Sequence, residues 1–119
     1  MARKLPAPLP AWKKLRDFAL GLPEAYEEFP WGDRVAKVRK KIFIFLGEGT
    51  GEDPRVSLKL TGDAHEHALS LPGVKPTAYN LGKAGWVTIP LAAGRAHPDL
   101  LIEWTETSYC LVAPKKLRP

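Results

Sequence analysis

In PAWKKLRDFALGLP, apolar residues recur at Trp12, Leu15, Ala19 and Leu22, and this spacing of three to four predicts a helix. Pro10 suits its first turn, and Gly21 with Pro23 ends it. The opposite face carries Lys13, Lys14, Arg16 and Asp17, so the helix is amphipathic with a basic outer side. The period then shortens. RVAKV and IFIFL are rich in β-branched and aromatic residues and predict a hairpin turned by Arg39, Lys40 and Lys41. RVSLKL alternates, with Val56, Leu58 and Leu60 on one side and Arg55, Ser57 and Lys59 on the other, as a half-buried antiparallel strand does. Asp63 reads as an N-cap, with Glu66 three residues on, for a second helix reaching Ser70 and stopped by Pro72-Gly73. VKPTAYNLGKAG reads as a long loop, and WVTIPL as a fourth strand whose end Pro90 marks. Pro98 opens a last helix through Leu101, Ile102 and Trp104, and Ser108 caps a short continuation, YCLVA, before Pro114.

The order α-β-β-β-α-β-α, without βαβ regularity or repeats, predicts an α+β fold. Its two layers are a single antiparallel sheet of about four strands and helices packed on one face. The other face is then expected to be exposed. The 119 residues suit one domain, with residues 1–8 a poorly ordered lead-in and residues 114–119 a basic tail. No apolar run approaches the roughly 20 residues that span a bilayer, and the proline-broken N-terminus has no signal-peptide core. A cytoplasmic protein without membrane contact is expected. Cys110 stands alone, which excludes an internal disulfide and a cysteine metal site and suggests a packed thiol.

The net charge of +5 favours an acidic partner such as nucleic acid, provided the cations gather on one surface. Lys37 and Arg39 lie two apart on a strand, Lys40 and Lys41 extend the same tip, Arg55 and Lys59 share a strand face, and Lys83 and Trp86 lead into the fourth strand. Cations interleaved with rings are what a DNA face needs: charge for phosphates, aromatic surface for stacking. The plainer alternative is that these cations solvate an open sheet and that Trp86 belongs to the core.

Other chemistry is thin. There is no G-x-S-x-G, and Ser57, Ser70 and Ser108 have no histidine near in sequence, so no catalytic residue is assigned. His65 and His67 are two apart on a helix and do not share a face, and His97 sits at a helix start; solvent-facing roles suit all three better than metal ligation. GEGTGED lacks the Lys and Ser/Thr of a phosphate loop and reads as a hairpin connection. Glu24, Glu27, Glu28 and Asp33 lack the spacing of a calcium loop and read as a solvated acidic rim. No cofactor or metal is expected.

Four segments in order, FALGLPEAYEEFPWG, VSLK, YNLGKAGWVTI and SYCLVAPKKLR, resemble the MmcQ/YjbR family from about Trp12 to Arg118. The resemblance implies a small α+β fold similar to frataxin/CyaY, and it carries a DNA-binding label. The matching motif positions are Pro30, Trp31, Gly32, Lys59, Asn80, Lys83, Trp86, Ser108 and Tyr109. Two positions depart from the family pattern: Cys110 stands where a Lys or Arg often follows Ser-Tyr, and Pro114 breaks what is often a longer basic helix. Iron delivery, which the frataxin-like shape would suggest, would be expected to need an acidic helical ridge, whereas the first helix is basic outside.

Two functions follow. One is a DNA-binding module in which Lys37, Arg39, Arg55, Lys59 and Lys83 meet phosphates and Trp86 or Tyr79 stacks. The other is a protein- or small-ligand-binding adaptor with a pocket around Lys59, Asn80, Lys83 and Trp86. EEFPWGD is either a structural corner or the rim of that pocket, with Glu28 and Trp31 approaching Lys59 and Trp86.

Overall fold

Helix α1, Pro10–Leu20, buries Trp12, Leu15 and Ala19 as the spacing predicts. The Trp12 indole Nε1 donates to the Leu46 carbonyl at 2.6 Å, fixing the first turn to the end of a strand. In this computed structural model the structure describes residues 10–29, 33–47, 54–78, 81–91 and 97–118. Trp31, Tyr79 and Asn80, the flanking Pro30 and Gly32, the lead-in and most of GEGTGED lie outside the described residues.

The fold is α+β, with three helices and one antiparallel sheet. The strands are β1 (Tyr26–Glu28), β2 (Val35–Val38), β3 (Lys41–Phe45), β4 (Arg55–Lys59), β5 (Lys75–Pro76) and β6 (Trp86–Pro90). Helix α2 (Gly62–Ser70) follows β4, a 3₁₀ turn (Leu81–Ala84) precedes β6, and α3 (Pro98–Val112) leads to a second 3₁₀ turn (Lys115–Leu117). The sheet has six strands in the order β1-β2-β3-β4-β6-β5, which corrects the expectation of about four. The additional strands are both edges. β1 lies in what read as a connection and β5 in what read as a loop. Neither is long enough to show a period of two, and long-range pairing creates both. Pro76 is tolerated because an edge strand need not donate on both sides.

Three further details differ from expectation. Arg39 and Lys40 alone make the hairpin turn, at φ of 50° and 69°, the left-handed pair that matches strand twist, and Lys41 already belongs to β3. Helix α2 starts at Gly62 after Thr61, so Asp63 lies in its first turn instead of capping it. Helix α3 runs unbroken for 15 residues, and Ser108 lies inside it, buried. His97 caps α3 through Nδ1, which accepts the Asp99 N–H at 3.2 Å.

Ala36, Val38, Ile44, Val56, Leu58, Val87 and Ile89 share one core with Trp12, Leu15, Leu101, Trp104 and Tyr109, so the helices cover one face of the sheet. A bulge between Ala36 and Lys37 leaves Phe43 without a register partner, and both Phe43 and Ile44 enter the core. The second face, which also carries Lys37, Arg55 and Lys59, is less open than expected. Val35 is 0% exposed, Trp86 7% and Ser57 9%. Phe45 meets Trp86 edge to face at 5.3 Å, and the Thr88 hydroxyl lies 2.8 Å from that of Ser57 and 3.0 Å from that of Thr77. Rings and paired hydroxyls make this face dense.

At the β1 edge, Arg16 and Arg34 both donate to Glu27 Oε2, at 3.0 and 2.9 Å. Burial pushes the Glu27 carboxyl up, but the hydrogen bonds and charge of the two guanidiniums outweigh it and hold it below its ordinary value of 4.5. A depressed folded-state value means that the unfolded chain takes up the proton first. The stabilisation is present above about pH 4.5 and is lost as pH falls through the folded-state value. Glu27→Gln is expected to lower stability by roughly 1–2 kcal/mol at neutral pH and by much less at pH 3, as urea midpoints at the two pH values would show. An equal loss at both would contradict an ionic role.

Candidate functional site

Strand register decides which cations meet. Ile44 pairs with Leu58, so Lys41 lies at the end of the sheet where β4 finishes in Lys59. Lys59 faces Trp86, the first residue of β6, and the 3₁₀ turn carrying Lys83 immediately precedes that strand. The Arg39–Lys40 tip projects from the same end. Tyr109 draws the C-terminal turn to this end as well: its hydroxyl donates to the Pro23 carbonyl at 2.7 Å and lies 3.3 Å from that of Leu117. Lys116 is close enough to Glu24 to bias its carboxyl. One end of the sheet is thus ringed by basic side chains.

The cations at this end differ in their partners. Arg39 grips Glu24 with two nitrogens at 2.8 and 3.0 Å, and this contact first, then charge, lowers the Glu24 carboxyl. Lys37 bonds Glu28 at 3.0 Å. Lys40, Lys41, Lys59 and Lys83 carry no ion pair among the described residues. Arg55 pairs in register with Pro90 at the far end of β4, four residues or about 13 Å from Lys59. It is set apart from the others. Trp86 is buried against Phe45, so it offers no exposed ring for stacking. Glu28 lies on β1, three strands from β4 and tied to Lys37, and so does not approach Lys59. Glu24, Glu27 and Glu28 are each held by cations, so three of the four carboxylates that read as a solvated acidic rim are ion-paired, and the fourth, Asp33, is exposed. Among the described residues no group of three or more His, Cys, Asp or Glu side chains is placed to hold a metal ion. Burial pushes the half-buried Cys110 thiol up, which keeps it protonated.

Between β4, α2 and the turn before β6 lies an open concavity of about 330 Å³, lined by Lys59 to Gly62, His65, Gly82 to Gly85, and Leu111. The sequence had placed Lys59 and Lys83 together; Thr61, Gly62, His65 and Leu111 are new. Gly85 is required here: at φ of 100° its backbone passes so close to β4 that a Cβ would lie 2.3 Å from the Leu60 oxygen. Behind Lys59, the buried Ser108 hydroxyl donates to the Phe43 carbonyl at 2.6 Å and accepts the Lys59 N–H at 2.8 Å. One side chain of α3 thereby locks the β3 bulge and the end of β4.

A YjbR family model matches residues 20–111. The chain belongs to the YjbR family. Its fold resembles the crystal structure of Deinococcus radiodurans protein DR2400, whose domain is described as DUF419, with a TM-score of 0.69 and 28% identity over 87% of this chain and 82% of that one. A comparison with curated proteins gave no match. Within this YjbR domain the matched span runs from the end of α1 to Leu111 and includes every residue lining the concavity. No described helix is long and apolar enough to cross a membrane.

Proposed function

We propose that this YjbR-family protein is a cytoplasmic DNA-binding module that performs no catalysis and contacts phosphates with one end of its sheet. The observation that carries the reading is the register-driven gathering of Lys40, Lys41, Lys59 and Lys83, none with a carboxylate partner among the described residues. Unpaired ammoniums release DNA counterions at full effect, whereas Lys37 and Arg39 would first have to leave Glu28 and Glu24. Phosphate contacts, not ring stacking, supply the affinity.

Fluorescence anisotropy with labelled duplex and single strands tests this. Four phosphate contacts give log K against log salt a slope of about −3.5 on duplex DNA, with binding surviving to about 150 mM salt. Lys59→Glu is expected to weaken binding and flatten the slope. Binding seen only at low salt, or unchanged by Lys59→Glu, would overturn the reading. The alternative, a protein- or small-ligand-binding adaptor, draws support from the concavity beside Lys59 and Lys83.

A further inference from the structure

We propose that the Glu24 carboxylate is the internal occupant of a phosphate subsite centred on Arg39, held there in the free protein and displaced by a backbone phosphate when DNA binds. The inference rests on the DNA reading and adds to it one further, masked contact. The Arg39 guanidinium takes both Glu24 oxygens, at 2.8 Å through Nε and 3.0 Å through Nη2, in the paired fork with which arginine also holds phosphate. Glu24 follows Pro23 in the turn after α1, and the Tyr109 hydroxyl lies 2.7 Å from the Pro23 carbonyl and 3.3 Å from that of Leu117. The turn Lys115–Leu117 is thereby drawn beside the contact, and Lys116 adds its charge to the hold on the carboxylate. One anion thus lies between cations of the β2–β3 hairpin and of the C-terminal turn.

The backbone marks the same place. Among the described residues three non-glycine residues have positive φ, Glu24 at 59°, Arg39 at 50° and Lys40 at 69°, and all three meet here. Left-handed backbone disfavours such side chains, and a two-residue hairpin turn of this kind is easiest for Asn-Gly. The chain instead sets two cations at the hairpin tip and a carboxylate in the turn that meets it, and strain gathered at one contact points to positions kept for their side chains. The pair is also open to exchange. Arg39 and Glu24 both sit in turns, with side chains 42% and 49% exposed, whereas Lys37 is 18% exposed and bound to Glu28 of the adjoining strand. A DNA phosphodiester carries one negative charge and two free oxygens, as the carboxylate does, so it replaces Glu24 at the fork charge for charge. Counterion release from the DNA drives the replacement.

Anisotropy with a labelled duplex over a salt series tests this on the full chain, with urea midpoints to confirm that each variant is folded. Glu24→Gln is expected to bind about fivefold more tightly and to steepen the slope of log K against log salt by about 0.9, as one added phosphate contact does. Glu24→Asn should reproduce the gain: asparagine accepts left-handed backbone, and its shorter side chain releases the guanidinium. Glu103→Gln is the control, an exposed carboxylate of α3 about 9 Å along the helix from Tyr109, and it makes the same change in net charge without a change in slope. In an Arg39→Gln background the gain from Glu24→Gln should fall to that of Glu103→Gln, since the fork is gone. If the wild type binds with the expected slope while both Glu24 variants keep its affinity and slope, the masked subsite falls and the DNA reading stands. A full gain that persists without Arg39 also overturns the subsite. Binding confined to the Glu24 variants would support the subsite and overturn DNA binding by the unaltered chain, and binding by none of them overturns both.

Discussion

Ser108→Ala is expected to destabilise the protein by about 2–4 kcal/mol, although it removes a single oxygen. That oxygen is fully buried, donates to the Phe43 carbonyl at 2.6 Å and accepts the Lys59 N–H at 2.8 Å. Removing it leaves one acceptor and one donor of the backbone unmet in the interior, each costing roughly 1–3 kcal/mol. Neither group has another role in the sheet ladder: Phe43 is the residue the bulge leaves without a register partner, and Lys59 ends β4. The loss should appear as a lower urea midpoint at unchanged slope. Amide shifts should concentrate at the β3 bulge and the end of β4, which would also loosen Lys59. A loss below about 0.5 kcal/mol would show that the hydroxyl does not bridge the two strands.

Gly85→Ala is expected to cost about 3 kcal/mol or more and to deform the concavity. Two penalties add. The backbone φ of 100° is one that an L side chain rarely adopts, and the new methyl would lie 2.3 Å from the Leu60 oxygen. Because the Gly85 carbonyl accepts the Leu60 N–H at 3.0 Å, relief of the clash pulls β6 away from β4 beside the candidate site. Gly62→Ala is the control: it shares a positive φ of 59° but has open space around it, so only backbone strain of about 1 kcal/mol is expected. Thermal or urea denaturation of the two variants gives the comparison, and equal losses would contradict the steric account.

Much of the scaffold was legible because periodic burial is a local signal. The spacing of Trp12, Leu15 and Ala19 defined α1, and the alternation of Val56, Leu58 and Leu60 defined β4 and its inward face. The edge strands were not legible. Tyr26–Glu28 is too short and polar to show a period, and only pairing with β2 makes it a strand. Ser108 read as a helix cap because serine favours caps, whereas burial and a partner 65 residues away place it inside α3.

For the candidate site, residue type and proximity in sequence pointed to Lys59 and Lys83, which the structure brings to one concavity. They did not reveal that the charges of Lys37 and Arg39 are met by Glu28 and Glu24. Arg39 and Glu24 lie 15 residues apart, and no local pattern announces their contact. Arg55 shares a strand face with Lys59, but a shared face does not mean a shared end. Trp86 alternates with Val87 and Ile89, which put it on the second face, but the pattern did not reveal that Phe45 would pack against it there.

The measurement closest to the central claim is DNA anisotropy over a salt series for the wild type and the Lys59→Gln/Lys83→Gln double variant. Lys13→Gln is the control, since Lys13 is an exposed cation in the first turn of α1, beside the Trp12–Leu46 contact at the far end of the sheet. The account predicts that the double variant binds at least about tenfold more weakly and that its salt slope shrinks by about 2, while Lys13→Gln changes neither by more than a small fraction. A double variant that binds with wild-type affinity and slope would contradict it and remove the Lys59–Lys83 end of the sheet as the functional surface.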